Sequence, residues 1–324
     1  MAKAIRIHQP GGPEVLRLED VDVGAPGEGE ARIRQTAVGI NYIDTYHRTG
    51  LYPLPMPTGI GLEGAGRVEA VGPGVSDLKP GDRVAYAGGP VGAYADLRLM
   101  PADRLVKVPD GISDQQAAGM MLKGMTSEYL IRRTFPVKAG DTVLFHAAAG
   151  GVGLIACQWL KALGAHVIGT VGSDEKAALA KAHGCEFPVV YTREDFVARV
   201  KEITGGKGVP VVYDSVGKDT FARSLDCLRP RGLMVLFGAA SGPVPPFDSQ
   251  TLAQKGSLFL TRPTLFAYTA TREDLVTSAT SLFAAVRSGQ VKIEVSRTYP
   301  LADAQQAHRD LESRKTTGSL LLLP

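Results

Sequence analysis

The spacing of hydrophobic residues changes along the chain, and the change predicts two kinds of structure. Between residues 31 and 40 apolar and polar positions alternate with a period of two, which is typical of a half-buried strand. Residues 64–72 and 83–86 predict further short strands, and clusters of glycine and proline mark turns between these segments. The first ~120 residues therefore predict a compact, antiparallel, barrel-like domain.

The middle of the chain alternates strand-like and helix-like patterns. A strand is predicted at 142–146, a helix from Val152 to Leu163 that Gly164 ends in the left-handed conformation, and a second strand at 166–171. This alternation predicts a doubly wound parallel sheet with right-handed crossovers. The later predicted elements are helices 175–183, 193–204, 219–228, 272–288 and 302–313 and strands 187–191, 209–213, 233–237, 257–261 and 318–323.

A small-residue turn joins the first strand and helix of this middle segment. Ala148, Gly150 and Gly153 have the one–three–six spacing of a dinucleotide fingerprint, in which small residues let the backbone approach a pyrophosphate. The amides at the helix start, including Gly151 and Val152, then face the phosphates, where the helix dipole favours anions. Because a strand and a helix both flank the turn, nucleotide binding is favoured over a purely structural turn.

The end of the second strand of this unit is where the adenosine ribose is recognised in such folds. NAD-dependent enzymes usually place an acidic residue there, whereas this chain has Val171-Gly172-Ser173, with no carboxylate to repel a 2′-phosphate. Lys176 follows and supplies a cation. We therefore expect NADPH as the cofactor, while Asp174 and Glu175 beside Lys176 keep NADH open as an alternative.

Size and composition are those of an ordinary globular protein with room for two domains. The 324 residues carry a formal net charge of +3 with no basic stripe and interleaved aromatics, so no nucleic-acid partner is expected. The longest aliphatic run near either end, 320–323, is too short to span a bilayer, and residues 1–10 lack a signal-peptide core. Three scattered cysteines form no disulfide framework, which favours a reducing cytoplasm.

Several long segments together resemble the medium-chain dehydrogenase/reductase superfamily, in the zinc-independent quinone oxidoreductase branch that includes zeta-crystallin. They are HQPGGPEVL (8–16), VGINYIDTYHRTGLYP (38–53), GLEGAGRVEAVGPGV (61–75), GDRVAY (81–86), FHAAAGGVGLIACQWLK (145–161), VVYDSVG (211–217), RPRGLMVLFG (229–238) and LESRKTTGSLLL (311–322). The resemblance covers essentially the whole chain. It implies an α/β plus β architecture, with a GroES-like domain from 1–123 and 268–324, a Rossmann domain from 124–267 and the cofactor between them.

Two motifs differ from those of zinc-containing relatives. Such relatives carry Cys in a Gly-x-Cys-x-x-Asp pattern and His in a Gly-His-Glu pattern, where this chain has Asn41 and Leu62, and the four-Cys lobe of a structural zinc is missing. Zinc needs thiolate, imidazole or carboxylate donors in a tetrahedral array, which an amide and a leucine do not supply. We therefore expect no metal, and an acceptor that is already electrophilic rather than an alcohol.

The resemblance also implies roles for particular residues. Asn41, Tyr46 and Tyr52, on a loop-rich segment, are expected near the nicotinamide and the acceptor, although tyrosines there also suit simple packing. Arg262 follows the last predicted strand of the sheet and is expected either in the active site or in a structural role. The expected catalytic residues are therefore Asn41, Tyr46, Tyr52 and Arg262.

The expected cofactor contacts extend from the first domain into the Rossmann domain. Lys176, Tyr191 and Arg314 are implied beside the 2′-phosphate or the adenine. Their alternative role is as ordinary surface or packing groups. The full set is Asn41, Lys123, Thr126, Ala148, Gly150, Gly151, Val152, Gly153, Ser173, Lys176, Tyr191, Phe237, Gly238, Ser241 and Arg314.

Together these features predict an NADPH-dependent quinone reductase that acts on a small-molecule quinone or conjugated carbonyl. The nearest alternative is an NADPH-dependent enone or alkenal reductase on the same fold, which differs only in pocket shape. A structural, crystallin-like or RNA-binding protein is the alternative from another class. An apolar strand late in the sheet, at 257–263, and the resemblance both predict a homodimer.

Overall fold

A computed structural model describes residues 1–313 and 315–324, and these form two compact units, each with its own hydrophobic core. The predicted contact Arg314 lies outside the described residues. Residues 288–292 belong to the second unit, whereas the sequence-based division assigns them to the first domain. The first unit comprises residues 1–125, 269–287 and 293–324, and the second comprises residues 126–268 and 288–292.

Strands and helices are numbered in chain order. The strands are β1 Ala2–Ile7, β2 Arg17–Val21, β3 Glu30–Ile40, β4 Thr58–Gly59, β5 Glu63–Val71, β6 Arg83–Ala87, β7 Leu97–Pro101, β8 Val106–Lys107, β9 Thr142–Phe145, β10 His166–Val171, β11 Phe187–Val190, β12 Val209–Asp214, β13 Leu228–Leu236, β14 Phe259–Thr261, β15 Val295–Pro300 and β16 Ser319–Leu323. The helices are α1 Tyr42–Thr49, α2 Asp114–Tyr129, α3 Gly151–Ala162, α4 Asp174–Ala182, α5 Phe196–Ile203, α6 Phe221–Leu225, α7 Gln250–Gln254, α8 Leu265–Tyr268, α9 Arg272–Arg287 and α10 Ala304–Glu312. Among the described helices, none combines the length and apolarity needed to cross a membrane.

The first unit is built from mostly antiparallel sheets, as its alternating sequence predicts. A seven-stranded sheet includes the order β15-β16-β3-β5-β6-β8 with β7 paired to β3, and a smaller sheet has the order β2-β1-β4. Along β3, Ile33 and Ala37 are buried while Arg34 and Thr36 face solvent, which is the predicted period of two. This unit is the GroES-like domain.

The second unit is a six-stranded parallel sheet with the order β11-β10-β9-β12-β13-β14. Renumbered from β9, this is the order 3-2-1-4-5-6 of a Rossmann fold, and the predicted doubly wound sheet is confirmed. Strand order reverses between β9 and β12. Ligands of such sheets bind at that reversal, outside the carboxyl ends of the strands.

The sequence prediction missed four of the described helices: the short α7 and α8, and the longer α1 and α2. The segment from Asn41 is predicted to be loop-rich, but α1 forms there because the Asp44 carboxylate accepts a 2.8 Å hydrogen bond from the backbone amide of Asn41. Gly50 ends the helix with a φ of 81°. Tyr46 is therefore on a helix. The second missed helix is α2, which buries Met120 and other apolar residues in the core.

Other predicted boundaries shift for local reasons. Helix α5 begins at Phe196 rather than at 193, because the Asp195 carboxylate accepts hydrogen bonds from the amides of Val197 and Ala198, at 2.9 and 3.4 Å. Helix α6 is shorter than the predicted 219–228. Strand β13 starts five residues before the predicted 233, through an irregularity in its pairing with β12 at which Arg231 has φ 59°.

Candidate functional site

The turn between β9 and α3 has the close-packed backbone that the fingerprint predicts. A Cβ on Gly153 would overlap the Ala147 carbonyl oxygen and lie 2.7 Å from the Ala148 Cα, so only glycine fits. Ala148 donates a 3.1 Å hydrogen bond to the Thr170 carbonyl, which ties the turn to β10. With Gly150 as the N-cap, the first amides of α3 have no acceptor within the helix. The turn therefore presents a backbone cradle that fits a pyrophosphate.

The end of β10 brings several predicted residues together. Ser173 caps α4 by accepting a 3.3 Å hydrogen bond from the Lys176 amide, and a Cβ on Gly172 would lie 3.1 Å from the Tyr191 hydroxyl. The Lys176 side chain is half-buried, and this burial lowers its pKa. Polar and cationic groups thus gather where the adenosine ribose is recognised in this fold.

The nearest acidic residue is already paired. Both carboxylate oxygens of Asp174 accept hydrogen bonds from the Arg193 guanidinium, at 2.5 and 2.6 Å. The same guanidinium lowers the pKa of Asp174, which is exposed. The pairing engages one of the two charges that would favour NADH; Glu175, the other acidic residue in the first turn of α4, is exposed.

The loop after β13 packs against the loop after β12. Phe237 donates a 2.8 Å hydrogen bond to the Asp214 carbonyl, and the Ser241 amide and hydroxyl each donate a 2.8 Å bond to the Val216 carbonyl. A Cβ on Gly238 would lie 2.6 Å from the Ser215 carbonyl oxygen, so a side chain there would separate the two loops. The carboxyl ends of β9, β10, β12 and β13 therefore carry one continuous polar edge on the second unit.

The second unit also places Thr126 and Arg262 beside one aromatic residue. Burial raises the pKa of Tyr129, while the Arg262 charge and a hydrogen bond from Thr126 oppose the rise. The Tyr129 ring stacks on Tyr268 with centroids 4.4 Å apart. Sequence reasoning missed Tyr129, because an isolated tyrosine inside a helix carries no signal of its neighbours.

In the first unit, two of the predicted contacts, Asn41 and Lys123, form a buried ionic cluster with Glu63. The side-chain amide of Asn41 donates a 2.7 Å hydrogen bond to Oε2 of Glu63, and the Lys123 ammonium lies 3.1 Å from the same oxygen. The Leu122 amide donates a 2.8 Å bond to Oε1. A Cβ on Gly39 would overlap the Glu63 carboxylate, so the glycine makes room for the cluster. Glu63 is part of the Gly61-Leu62-Glu63 motif, but no sequence pattern links it to Asn41 and Lys123, which lie 22 and 60 residues away.

A second buried network leads from Asp44 to the surface. Tyr94 donates a 2.9 Å hydrogen bond to Oδ2 of Asp44, and its oxygen lies 3.0 Å from Nε2 of His308. Arg48 contacts Nδ1 of His308 at 2.9 Å and pairs with the half-buried Glu312 at 2.7 Å. Burial raises the pKa of Asp44 to about 7, against the hydrogen bonds it accepts, and lowers that of His308 to about 3. His308 is therefore neutral in the folded protein.

Helix α1 and the turn after it carry an aromatic group. The rings of Tyr46 and Tyr52 are 5.2 Å apart and edge-to-face, and the Tyr52 amide donates a 3.1 Å hydrogen bond to the Tyr46 carbonyl. Tyr42 and His47 flank this pair, with ring centroids 6.0 and 6.1 Å from their neighbours. Tyr46 and Tyr52 thus form a half-buried aromatic pair.

The two positions that hold zinc ligands in zinc-containing relatives do not fit a metal here. The Asn41 side chain donates to Glu63, and Leu62 is buried in the core at 1% exposure. Over the described residues, no group of three or more His, Cys, Asp or Glu side chains is arranged to hold a metal ion. An amide donor and a leucine cannot replace thiolate and imidazole ligands.

A GroES-like unit and a Rossmann unit with a glycine cradle define a nucleotide-dependent oxidoreductase of the medium-chain dehydrogenase/reductase type. Comparison with known families agrees: residues 27–110 match the alcohol dehydrogenase GroES-like domain, and residues 151–279 match the zinc-binding dehydrogenase family. The chain is 54% identical to a quinone oxidoreductase of Pseudomonas aeruginosa and 48% identical to a 2-haloacrylate reductase of Burkholderia sp., covering 100% of this chain in both cases and 100% and 99% of the relatives. The solved structure of Escherichia coli quinone oxidoreductase complexed with NADPH is 52% identical and has a TM-score of 0.98, with each chain covered in full. The chain belongs to the quinone oxidoreductase family of the medium-chain dehydrogenase/reductase superfamily.

Proposed function

We propose that this protein is an NADPH-dependent quinone reductase. The observation that carries the proposal is the glycine cradle at the strand-order reversal, followed by a strand end with Lys176 in the first turn of α4 and with Asp174 paired to Arg193. Family membership supports the acceptor, since the relatives that match the chain over its full length include quinone oxidoreductases, one of them solved with NADPH.

The second unit binds the cofactor through its backbone and a few charges. The first amides of α3, from Gly151 to Gly153, donate to the pyrophosphate at the positive end of the helix dipole. Lys176 and Tyr191 hold the 2′-phosphate, a dianion that needs charge-assisted donors, and Ser173 orders this corner by capping α4. Arg314 is proposed to add a second cation.

Other predicted contacts hold the nicotinamide half. Phe237, Gly238 and Ser241 lie on the loop after β13, where the packing against the Asp214–Gly217 loop fixes their backbone. Lys123 and Thr126 are proposed as further contacts of the cofactor. When bound, NADPH supplies a hydride from its nicotinamide, and the chain's own residues contribute position and the exclusion of water.

The acceptor side is built from flat, apolar surfaces with polar edges. We propose that a planar quinone packs against the Tyr46 and Tyr52 rings, whose centroids lie 5.2 Å apart. The Asn41 side chain is held by Glu63 in one orientation, and Asn41 is proposed to contact the nicotinamide. Arg262 is proposed to contribute positive charge near the developing oxyanion.

A second acceptor class has a specific observation in its favour. The Burkholderia relative named 2-haloacrylate reductase is 48% identical over the full chain. Its name specifies a conjugated carboxylate, which, like a quinone, accepts hydride without metal activation. We therefore include conjugated carbonyl compounds as secondary substrates on the same site.

Two further properties belong to the proposal. The three cysteines are buried free thiols, in keeping with work in a reducing cytoplasm. Strand β14 is the outermost strand of the six-stranded sheet, and Phe259 on it is 60% exposed, which supports a homodimer that pairs through this edge.

A substrate panel tests the proposed function directly. Purified protein is offered quinones, enones, 2-haloacrylate and primary alcohols, each with NADPH or NADH for reduction and NADP⁺ for oxidation. We expect the highest kcat/KM for a quinone with NADPH and no alcohol oxidation. Turnover of alcohols alone, or tight salt-dependent RNA binding without reductase activity, would place the protein in another class.

A further inference from the structure

His146 lies at the centre of a buried polar network beneath the cofactor-binding edge, and none of the roles proposed above uses it. Its Nδ1 is 2.8 Å from the Thr170 hydroxyl on β10, and its Nε2 is 2.9 Å from the Ser224 hydroxyl on α6. The three side chains have at most 2% exposure. Both nitrogens of the imidazole are therefore engaged inside the sheet's carboxyl edge.

The network continues from Ser224 to the loop after β12. Ser224 donates a 3.1 Å hydrogen bond to Oδ2 of Asp214, and Thr220 donates a 2.7 Å bond to the same oxygen. The other carboxylate oxygen accepts bonds from the amides of Val216 and Gly217, at 2.8 and 3.0 Å. Asp214 thus fixes the loop against which the residues after β13 pack.

The hydrogen-bond directions follow from the number of donors. Ser224 has one hydroxyl hydrogen, which goes to the Asp214 carboxylate, so the Nε2–H of His146 must donate to Ser224. Nδ1 then accepts from the Thr170 hydroxyl. Burial lowers the pKa of His146 although the Asp214 charge opposes it, which is consistent with a neutral imidazole.

The position of His146 in the chain links this network to the glycine turn. It directly precedes Ala147, whose φ of 55° starts the turn, and its amide donates a 3.0 Å hydrogen bond to the Tyr213 carbonyl. The ring also packs edge-to-face on Phe196 at 5.1 Å, where a phenylalanine would fill much the same space. An apolar ring would avoid the desolvation of the two imidazole nitrogens, so the polar network has a role beyond filling volume.

We propose that His146 is a positioning residue for the dinucleotide. Held at both nitrogens by Thr170 and Ser224, it locks the glycine turn to the Asp214–Gly217 loop, so that the pyrophosphate cradle and the ribose loop keep the spacing that NADPH requires. The inference rests on the proposed cofactor but not on the identity of the acceptor.

The test compares variants of the network with a matched control in the same sheet. His146→Phe, Ser224→Ala and Thr170→Val each remove network hydrogen bonds. Tyr213→Phe removes a buried 3.2 Å bond from the side-chain hydroxyl to the Leu130 carbonyl, and it keeps the backbone carbonyl that accepts from the His146 amide. The readouts are the Kd for NADPH by fluorescence titration, KM and kcat with a quinone, thermal stability and hydrogen exchange of the Val216 and Gly217 amides.

We expect His146→Phe to weaken NADPH binding roughly tenfold and the two hydroxyl variants to weaken it severalfold, by a loss of preorganisation. The KM for NADPH should rise with kcat at saturating NADPH nearly unchanged, and the Gly217 amide should exchange faster. Tyr213→Phe should bind NADPH like the wild type even where its Tm falls. His146→Gln, which keeps a donor toward Ser224, should recover part of the loss.

The outcomes separate this inference from the proposed function. If all three network variants bind NADPH like the wild type, or if Tyr213→Phe weakens binding as much as they do, His146 has only a structural role. If His146→Phe does not fold, Ser224→Ala and Thr170→Val decide by the same criterion. If the wild type binds NADPH but reduces no quinone, the proposed acceptor is wrong, and weaker NADPH binding by the variants still supports the role of His146. If the wild type does not bind NADPH, both the proposed function and the role of His146 are wrong.

Discussion

The Asn41 side-chain amide donates a 2.7 Å hydrogen bond to Glu63, a carboxylate with no exposed surface. The same carboxylate pairs with the buried Lys123 ammonium at 3.1 Å. Burying an ion pair is costly, so its geometry must be well satisfied to persist. Glu63 therefore determines both the charge balance of this buried cluster and the orientation of the Asn41 side-chain amide.

Replacing Glu63 with Ala should lower the free energy of unfolding by about 3–5 kcal/mol, because the Lys123 ammonium loses its buried counter-charge. Urea denaturation measures the change. The control is Asp20→Ala, which removes the exposed partner of Lys3 and should cost less than about 1 kcal/mol. Equal losses for the two variants would mean that the buried pair contributes no more than a surface one.

Asp44 should make stability depend on pH in an unusual direction. Its pKa is raised from 3.8 to about 7 by burial, beside Tyr94, Lys123 and Glu63, so the folded protein holds this proton to higher pH than the unfolded chain. The contribution of Asp44 is thus fully present below the unfolded pKa and is lost as pH rises toward 7.

Asp44→Asn removes that titration and isolates it from all others. Between about pH 5 and 6, the stability of the wild type relative to the variant should fall by about 1.4 kcal/mol per pH unit. Denaturation curves at several pH values give the difference directly. Parallel pH profiles for the two proteins would show that Asp44 is already ionised in the folded state at pH 5.

Gly153→Ala should abolish tight NADPH binding, because the added Cβ would overlap the Ala147 carbonyl and force the cradle open. The control is Gly27→Ala, whose Cβ meets only the flexible Glu30 carboxylate at 3.2 Å. Calorimetric titration should find NADPH affinity retained in the control. Wild-type affinity in Gly153→Ala would mean that the turn does not hold the pyrophosphate.

The sequence predicts the features that depend on local spacing, but it does not predict contacts between residues far apart in the chain. The cradle and the parallel sheet are visible because Ala148, Gly150 and Gly153 act through spacing within six residues and because apolar periodicity is local. The bond between Tyr94 and His308 joins positions 214 residues apart, and no periodicity marks it. Glu63 was overlooked for the same reason, since its cation, Lys123, lies 60 residues away.

The helix that carries Tyr46 was missed because of how it begins. Its eight residues are fewer than the window over which hydrophobic periodicity identifies a helix, and its start is marked by the Asn41–Asp44 cap. The sequence does contain the boundary signals of this helix. They are Asn41 followed three residues later by Asp44, and Gly50 at the end.

Strand β14 should mediate a homodimer. Phe259 is exposed on a strand at one edge of the sheet, and edge strands favour pairing with another chain across a two-fold axis. Light scattering at micromolar concentration should give twice the chain mass of 34.3 kDa, and Phe259→Lys, which puts a charge on the exposed edge, should shift it toward the single chain. A wild-type mass of one chain would contradict this arrangement.

The most direct test of the central claim is the ratio of kcat/KM for NADPH and NADH, measured with a quinone acceptor in the wild type, Lys176→Ala and Lys181→Ala. Lys181 is an exposed lysine in the last turn of the same helix and serves as the matched control. We expect quinone reduction with a clear preference for NADPH. Lys176→Ala should lose about ten- to a hundredfold with NADPH, the equivalent of a lost charge-assisted hydrogen bond, and almost nothing with NADH, while Lys181→Ala behaves like the wild type. A wild type that prefers NADH, or equal losses with both cofactors in Lys176→Ala, would contradict the assignment of this strand end as the 2′-phosphate site of a quinone reductase.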